Sequence, residues 1–177
     1  MIESDRLILS ALTLDDEEDL LEYQSDPMVV RYIPWPPRTR LQVREAIEKV
    51  LVPRTFDSDN DFLVFAWRLK DGGKVIGQSN ISIQSKEHSR AEIGWVVHPD
   101  FVGQGFATEA TRALINYAFD TLKFHRVVAY IDQRNDSSVK LAERLGMRRE
   151  ASYQKDEFFK GEWTSAFLYA VLSEEWK

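Results

Sequence analysis

Gly103 and Gly105 stand just ahead of a helical pattern, in Val102-Gly103-Gln104-Gly105-Phe106-Ala107. Such a turn lets backbone N–H groups converge on an anion, and the helix dipole adds to the attraction. Glycine is required where a side chain would block the approach. The plainer reading is a tight strand-to-helix turn without a ligand, which a lone G-x-G does not displace. Two phosphate loops are excluded by the residues present. A nucleoside-triphosphate loop needs Lys-Ser or Lys-Thr after its last glycine, and none follows here. A dinucleotide loop needs a third glycine, where Thr108 stands, and a parallel strand before the turn. Absence of cysteine removes a disulfide scaffold, a thiolate zinc site and a cysteine nucleophile together. His88 and His125 have no carboxylate or histidine at ligand spacing, so no metal site is expected. His98, before Pro99, reads as a turn residue rather than a base.

The elements that must position this loop follow from periodicity. Arg6 to Leu12 is a short strand. Thr13 caps a helix with Asp15, Asp16, Glu17 and Glu18 in its first turn, running to about Gln24. Pro34, Trp35, Pro36 and Pro37 form a loop. Thr39 and Gln42 make a capping box, and Val43, Ala46, Ile47, Val50 and Leu51 give the helix behind it an apolar face. Phe62 to Leu69, Lys74 to Ile83 and Ala91 to Val97 read as an antiparallel meander, turned at Asp71-Gly72-Gly73. In the third strand Ala91, Ile93, Trp95 and Val97 share one face; Glu92, Gly94 and Val96 share the other. The helix opened by the glycine loop faces inward through Ala107, Ala110, Leu114, Tyr117 and Ala118. Val127 to Ile131 is a strand reached by a right-handed parallel crossover. Asn135 caps a helix from Asp136 to Leu145, closed by Gly146, and Trp163 to Leu172 is the final strand, with a loop before it. The fold class is α+β: a mixed, mostly antiparallel sheet with helices on both faces. The 177 residues fit one domain, 1–177.

Composition limits the partners. Apolar residues are 44% and charged residues 29% of the chain, enough for a packed core. Net charge is −6, a poor balance for nucleic acid. The longest apolar run is Ala166 to Leu172. A membrane span needs roughly 20 apolar residues, far more than that run supplies. The first residues lack a secretory pattern, so a cytoplasmic location is expected. Residues 1–61 carry 14 acids and 7 bases; residues 123–149 carry 7 bases and 3 acids. These are either two solvated surfaces or one end drawing a cation and another drawing an anion.

Several segments together resemble the GCN5-related N-acetyltransferases (GNAT). Val102 to Ala107, preceded by Ala91-Glu92-Ile93-Gly94-Trp95, is similar to that family's acyl-CoA loop, (Gln/Arg)-x-x-Gly-x-(Gly/Ala), with Gly105 and Ala107 matching and Val102 in place of Gln or Arg. Asn135-Asp136-Ser137-Ser138 with Leu145-Gly146-Met147, Asp5-Arg6-Leu7-Ile8-Leu9 and Pro34-Trp35-Pro36 resemble its ribosomal-protein N-acetyltransferase branch. The resemblance spans about Asp5 to Trp176. It implies that acetyl-CoA is the co-substrate. Its pantetheine arm would lie where Ala91–Val97 and Val127–Ile131 splay apart, bonded by backbone groups of Trp95, Val96 and Val97. N–H groups of Val102, Gly103, Gln104, Gly105, Phe106 and Ala107 would take the pyrophosphate, and side chains of the basic run from Lys123 to Arg149 the remaining phosphate charge. Ser138 would hydrogen-bond the CoA sulfur; otherwise it is a second helix cap. Asn135 would both cap and contact pantetheine.

The chemistry implied is acetyl transfer to a primary amine, a protein N-terminal α-amine or a small-molecule amine, by direct attack in a ternary complex. Glu92 is the first candidate base, acting directly or through water, or else a carboxylate paired with a neighbouring base. Asp156 and Glu157, expected in the loop before the last strand, are the next candidates. Trp35 either lines the acceptor pocket or plugs the core. The rival readings are a non-catalytic acyl-CoA-binding module and an antibiotic or polyamine acetyltransferase. A ribosomal or other protein N-terminus is a candidate partner, with no nucleic acid or membrane, and the chain would be a monomer or homodimer.

Overall fold

Alternation along the middle of the chain decides the architecture. Neighbours such as Ala66 and Trp67, or Val75 and Ile76, pack into two different apolar clusters, as successive strand residues must when both faces of a sheet are covered. The computed structural model describes residues 1–52 and 55–177. Its strands are β1 (Ile2–Glu3), β2 (Leu7–Ser10), β3 (Phe62–Leu69), β4 (Val75–Ser85), β5 (Arg90–Val97), β6 (Arg126–Asp132), β7 (Arg148–Phe159) and β8 (Glu162–Leu172). The helices are α1 (Glu17–Gln24), α2 (Arg40–Leu51), α3 (Phe106–Asp120) and α4 (Asp136–Arg144). One eight-stranded sheet has the order β1-β2-β3-β4-β5-β6-β8-β7. Among the described residues only β5 and β6 pair in parallel.

The larger core packs α3 and α4 against one face, around Trp67, Ile76, Ile93, Leu114 and Leu141. The smaller packs α1 and α2 against the other, around Leu20, Tyr23, Val43, Ile47 and Val96. The expected α+β fold with helices on both faces is therefore present. Local signals placed the helix starts well. The Thr39 hydroxyl and Gln42 side chain form the capping box of α2. The Asn135 carboxamide oxygen accepts the Ser138 N–H at 3.2 Å to start α4. Gly146, at φ +81°, follows its end. Thr13 and Asp16 make their box on a short 3-10 turn, Leu14–Asp16, that leads into α1. Leu51, expected on the apolar face of α2, is exposed.

Two strands depart from expectation. β1 is two residues long and pairs with β2. β7 occupies the segment expected to be a loop, so Asp156 and Glu157 belong to a strand, beside a register shift between Tyr153 and Glu157. Most of β7 is exposed, an edge strand that draws its pairing from β8 alone.

Candidate active site

The parallel pairing of β5 and β6 stops early. It joins Arg90, Ala91 and Glu92 to Arg126, Val127 and Val128 and goes no further, although both strands continue. Beyond Glu92 the sheet is open. A cavity of about 870 Å³ fills the opening and reaches both faces.

Register shows which backbone groups look into the gap. His98 N–H donates to the Ile76 carbonyl of β4 at 2.8 Å. The β4–β5 register runs without a shift from Gly77↔Val97 to Ile83↔Ala91. Alternation then turns the N–H and C=O of Val96, Gly94 and Glu92 toward β4, and those of Trp95 and Val97 toward the gap. A methyl placed on Gly77 would meet the Val96 carbonyl oxygen at 2.6 Å, which confirms that this carbonyl points at β4. Of the three residues expected to bond an extended arm, Trp95 and Val97 are available; Val96 is consumed by the sheet, with its side chain buried in the smaller core.

The gap brings together side chains from opposite faces. Glu92 lies on the α1–α2 face. Gln84 Nε2 donates to its Oε2 at 3.0 Å, and burial, with the charge of Glu157 adding, raises its pKa above the ordinary carboxylate value. Trp95 lies on the other face, where its indole Nε1 donates to the Ser138 Oγ at 3.2 Å. Ser138 thus accepts from Trp95 while its own hydroxyl hydrogen stays available, and the capping of α4 falls to Asn135. Glu92, Trp95, Asn135 and Ser138 all line the cavity, as do Trp35, Asp156 and Glu157. Asp156 and Glu157 are exposed, less suited than Glu92 to a tuned proton transfer.

The glycine loop lies outside this cavity, at the start of α3. Gly103 has φ +80° and Gly105 has φ +86°, backbone that side-chain-bearing residues rarely adopt. Gly105 is the N-cap and has no side chain to satisfy the first N–H groups; the first intrahelical bond is Glu109 N–H to the Gly105 carbonyl at 3.0 Å. The loop from Val102 to Gly105 is exposed. It is held from behind by Arg6, whose guanidinium lies 4.0 Å from the centre of the Phe106 ring and donates to the Gln104 carbonyl at 3.1 Å. Arg6 is itself fixed by Glu109, which accepts its Nε at 2.7 Å and its backbone N–H at 2.7 Å. No local pattern announces this clamp, since its partners lie far apart in the chain.

The charge clusters resolve unequally. Four acids of α1 and the turn before it are paired: Asp16 with Arg68, Glu17 with Arg40 and Arg44, Glu18 with Arg40, and Glu22 with Lys74 and His98. None of these acids lines the cavity. In the basic run Arg126, Arg134 and Arg148 are engaged with carboxylates. Arg144 instead donates to the Thr108 hydroxyl at 3.2 Å, beside the N-terminus of α3. His98 is a turn residue, its Nδ1 accepting the Asp100 N–H at 3.1 Å. Among the described residues no group of three His, Asp or Glu side chains could hold a metal ion, and no helix is long and apolar enough to cross a membrane.

Residues 6–148 match the acetyltransferase (GNAT) domain family. The chain belongs to that family. Uncharacterized N-acetyltransferase YnaD of Bacillus subtilis is 31% identical over 99% of this chain and 98% of its own. The crystal structure of a GNAT-family acetyltransferase from Bacillus anthracis superposes with a TM-score of 0.89 at 31% identity, covering 98% of this chain and 99% of that one. Spermidine N(1)-acetyltransferase of Escherichia coli (strain K12) is 24% identical over 50% of this chain and 48% of its own. The GNAT chain is thus an N-acetyltransferase with the α+β architecture expected from its sequence. In its GNAT frame, the opening between β5 and β6 and the glycine turn before α3 are the features to which function must be tied.

Proposed function

We propose that this protein transfers the acetyl group of acetyl-CoA to a primary amine by direct attack within a ternary complex. The observation that carries the proposal is the cavity through the sheet, with Glu92 on one face and Ser138 on the other. Trp95 and Val97 offer backbone groups to the pantetheine arm, which takes the place of a strand partner in the gap. The N–H groups at the start of α3 suit the pyrophosphate. Arg144, beside them, suits a further phosphate charge, and Arg144→Ala should raise KM for acetyl-CoA about two- to fivefold at low salt and less at high salt, with kcat unchanged. Equal KM values at both salt concentrations would place the phosphates elsewhere.

Glu92 takes one proton from the acceptor ammonium, directly or through water, and a pKa raised by burial makes it a stronger base for that step. The neutral amine nitrogen then bonds to the acetyl carbon, the C–S bond breaks, and the surplus proton left on the new amide nitrogen passes to the leaving thiolate, which the Ser138 hydroxyl meets. The Trp95 indole, donating to Ser138 Oγ, orients that hydroxyl and strengthens it as a donor.

Ser138→Ala separates this role from a capping role. Asn135 supplies the cap. The substitution should therefore cost only about 0.5–1.5 kcal/mol, for the lost Trp95 bond. It should lower kcat roughly tenfold or more, because the interaction strengthens as charge develops on sulfur. Thermal unfolding and kcat are measured on the same sample with acetyl-CoA saturating. Normal kcat beside a clear loss of stability would leave Ser138 a structural residue. The reading that the fold holds acyl-CoA without transferring it is excluded if thiol release depends on added amine.

A further inference from the structure

On the Glu92 face the cavity is bounded by the segment between α1 and α2, which contributes Trp35 and Arg38. Arg38 is half-buried, and its charge has no carboxylate partner among the described residues. Its Nη1 donates to Gln24 Oε1 at 2.7 Å, and its guanidinium carbon lies 4.4 Å from the centre of the Trp35 ring. Both partners are neutral. Nearby Arg40 and Arg44, exposed to water, each have glutamate partners. Burial is the main influence on the Arg38 guanidinium and pushes its pKa down, the opposite of what a paired arginine shows.

The arginine is also held in place from the sheet. Tyr23 Oη and Gln24 Nε2 both donate to Gln78 Oε1, at 3.1 and 2.8 Å. This fixes the Gln24 carboxamide with its oxygen toward Arg38, and the Arg38 backbone N–H donates to the Gln24 carbonyl at 2.9 Å. Next to it, Trp35 Nε1 is buried with no hydrogen-bond partner. A positioned cation without an anion therefore borders the cavity, stacked on a lining tryptophan whose buried donor has no acceptor. Each costs stability unless something with acceptor oxygens completes it.

Resting on the acetyl-transfer reading, we propose that the acceptor carries a carboxylate beside its amine, bound by Arg38 and Trp35 Nε1: an amino-acid-like substrate rather than a polyamine. Arginine offers a planar fork of donors that matches a carboxylate, and the Trp35 indole adds one more. The carboxylates that border the cavity, Glu92, Asp132, Asp156 and Glu157, come from β5, β6 and β7, and among the described residues none of them is paired with Arg38. A zwitterion would lie with its carboxylate at Arg38 and its ammonium toward Glu92. Arg38 is on the sheet face opposite α3, so it is not a second hold on the CoA phosphates.

The test uses free amino acids, their C-terminal amides and spermidine as acceptors, with thiol release as readout. Calorimetry of N-acetylated amino acids and their amides in the presence of CoA gives a binding measure independent of turnover. The acids should exceed their amides about 10–100-fold in kcat/KM and in affinity. Arg38→Gln should erase that difference by weakening the acids alone, and Arg38→Lys should restore part of it. Wild-type protein that treats acids and amides alike, or prefers spermidine, overturns the proposal while leaving acetyl transfer intact. An Arg38-dependent preference in calorimetry with no thiol release from any amine would support the anion site and count against acetyl transfer.

Discussion

Glu92→Gln should lower kcat by roughly 10²–10⁴-fold, the usual worth of a positioned general base. Acetyl-CoA affinity should barely change, because Glu92 lies on the sheet face away from the glycine loop and α3. Folding should survive, since the substituted carboxamide can still accept from Gln84 Nε2. The pH dependence supplies the sign. Burial, reinforced by Glu157, raises the Glu92 pKa, so wild-type activity should rise through a limb above the ordinary carboxylate range as the pH increases. In the mutant that limb should disappear. A mutant that keeps both its rate and its acidic limb would move the base to Glu157 or Asp156, the exposed carboxylates on the cavity.

Gly105→Asp should abolish acetyl-CoA binding in a protein that still folds. The backbone there has φ +86°. Such a left-handed conformation costs a side-chain-bearing residue about 1–2 kcal/mol, with aspartate among the more tolerant types. A Cβ would meet only Arg6 Nη2, at 3.5 Å, an ordinary contact with a flexible cation. The effect therefore falls on the ligand. A carboxylate would stand at the N-cap of α3, where the exposed N–H groups and the helix dipole await a phosphate. Gly105→Ala carries the same backbone strain without the charge and should weaken binding less. Calorimetry on the three proteins, with unfolding curves as a check on folding, decides this. Unchanged affinity in folded Gly105→Asp would remove the loop from the CoA site.

What could be read from the sequence follows the range of each interaction. The capping box at Thr39 and Gln42, the Asn135 cap and the β3–β4–β5 meander rest on contacts a few residues apart or on simple alternation, and they appear where expected. β7, Arg148–Phe159, was not legible because most of its residues are exposed and only Ala151, Tyr153 and Phe159 are half-buried, too few to set a period; it is a strand because β8 is beside it. The distinction between Trp95 or Val97 and Val96 depends on the β4–β5 register, which no local spacing carries. The Trp95–Ser138 bond spans 43 residues, so the family resemblance could single out Ser138 but not the indole that orients it. Arg38 carried no signal beyond following a proline-rich loop. Its meaning lies in partners it lacks, which only the packed structure reveals.

Direct transfer from acetyl-CoA to an amine is tested most directly by a thiol assay. With no cysteine in the chain, every thiol that appears is CoA. Enzyme in excess is mixed with acetyl-CoA, first alone and then with an amine panel, while the intact protein is weighed by mass spectrometry. The prediction is no acetylated enzyme and no thiol release above the spontaneous rate until an amine is added, then stoichiometric release with one acetylated amine per thiol. An acetyl-enzyme formed without amine would contradict direct attack, and bound acetyl-CoA that releases no thiol with any amine would contradict transfer itself.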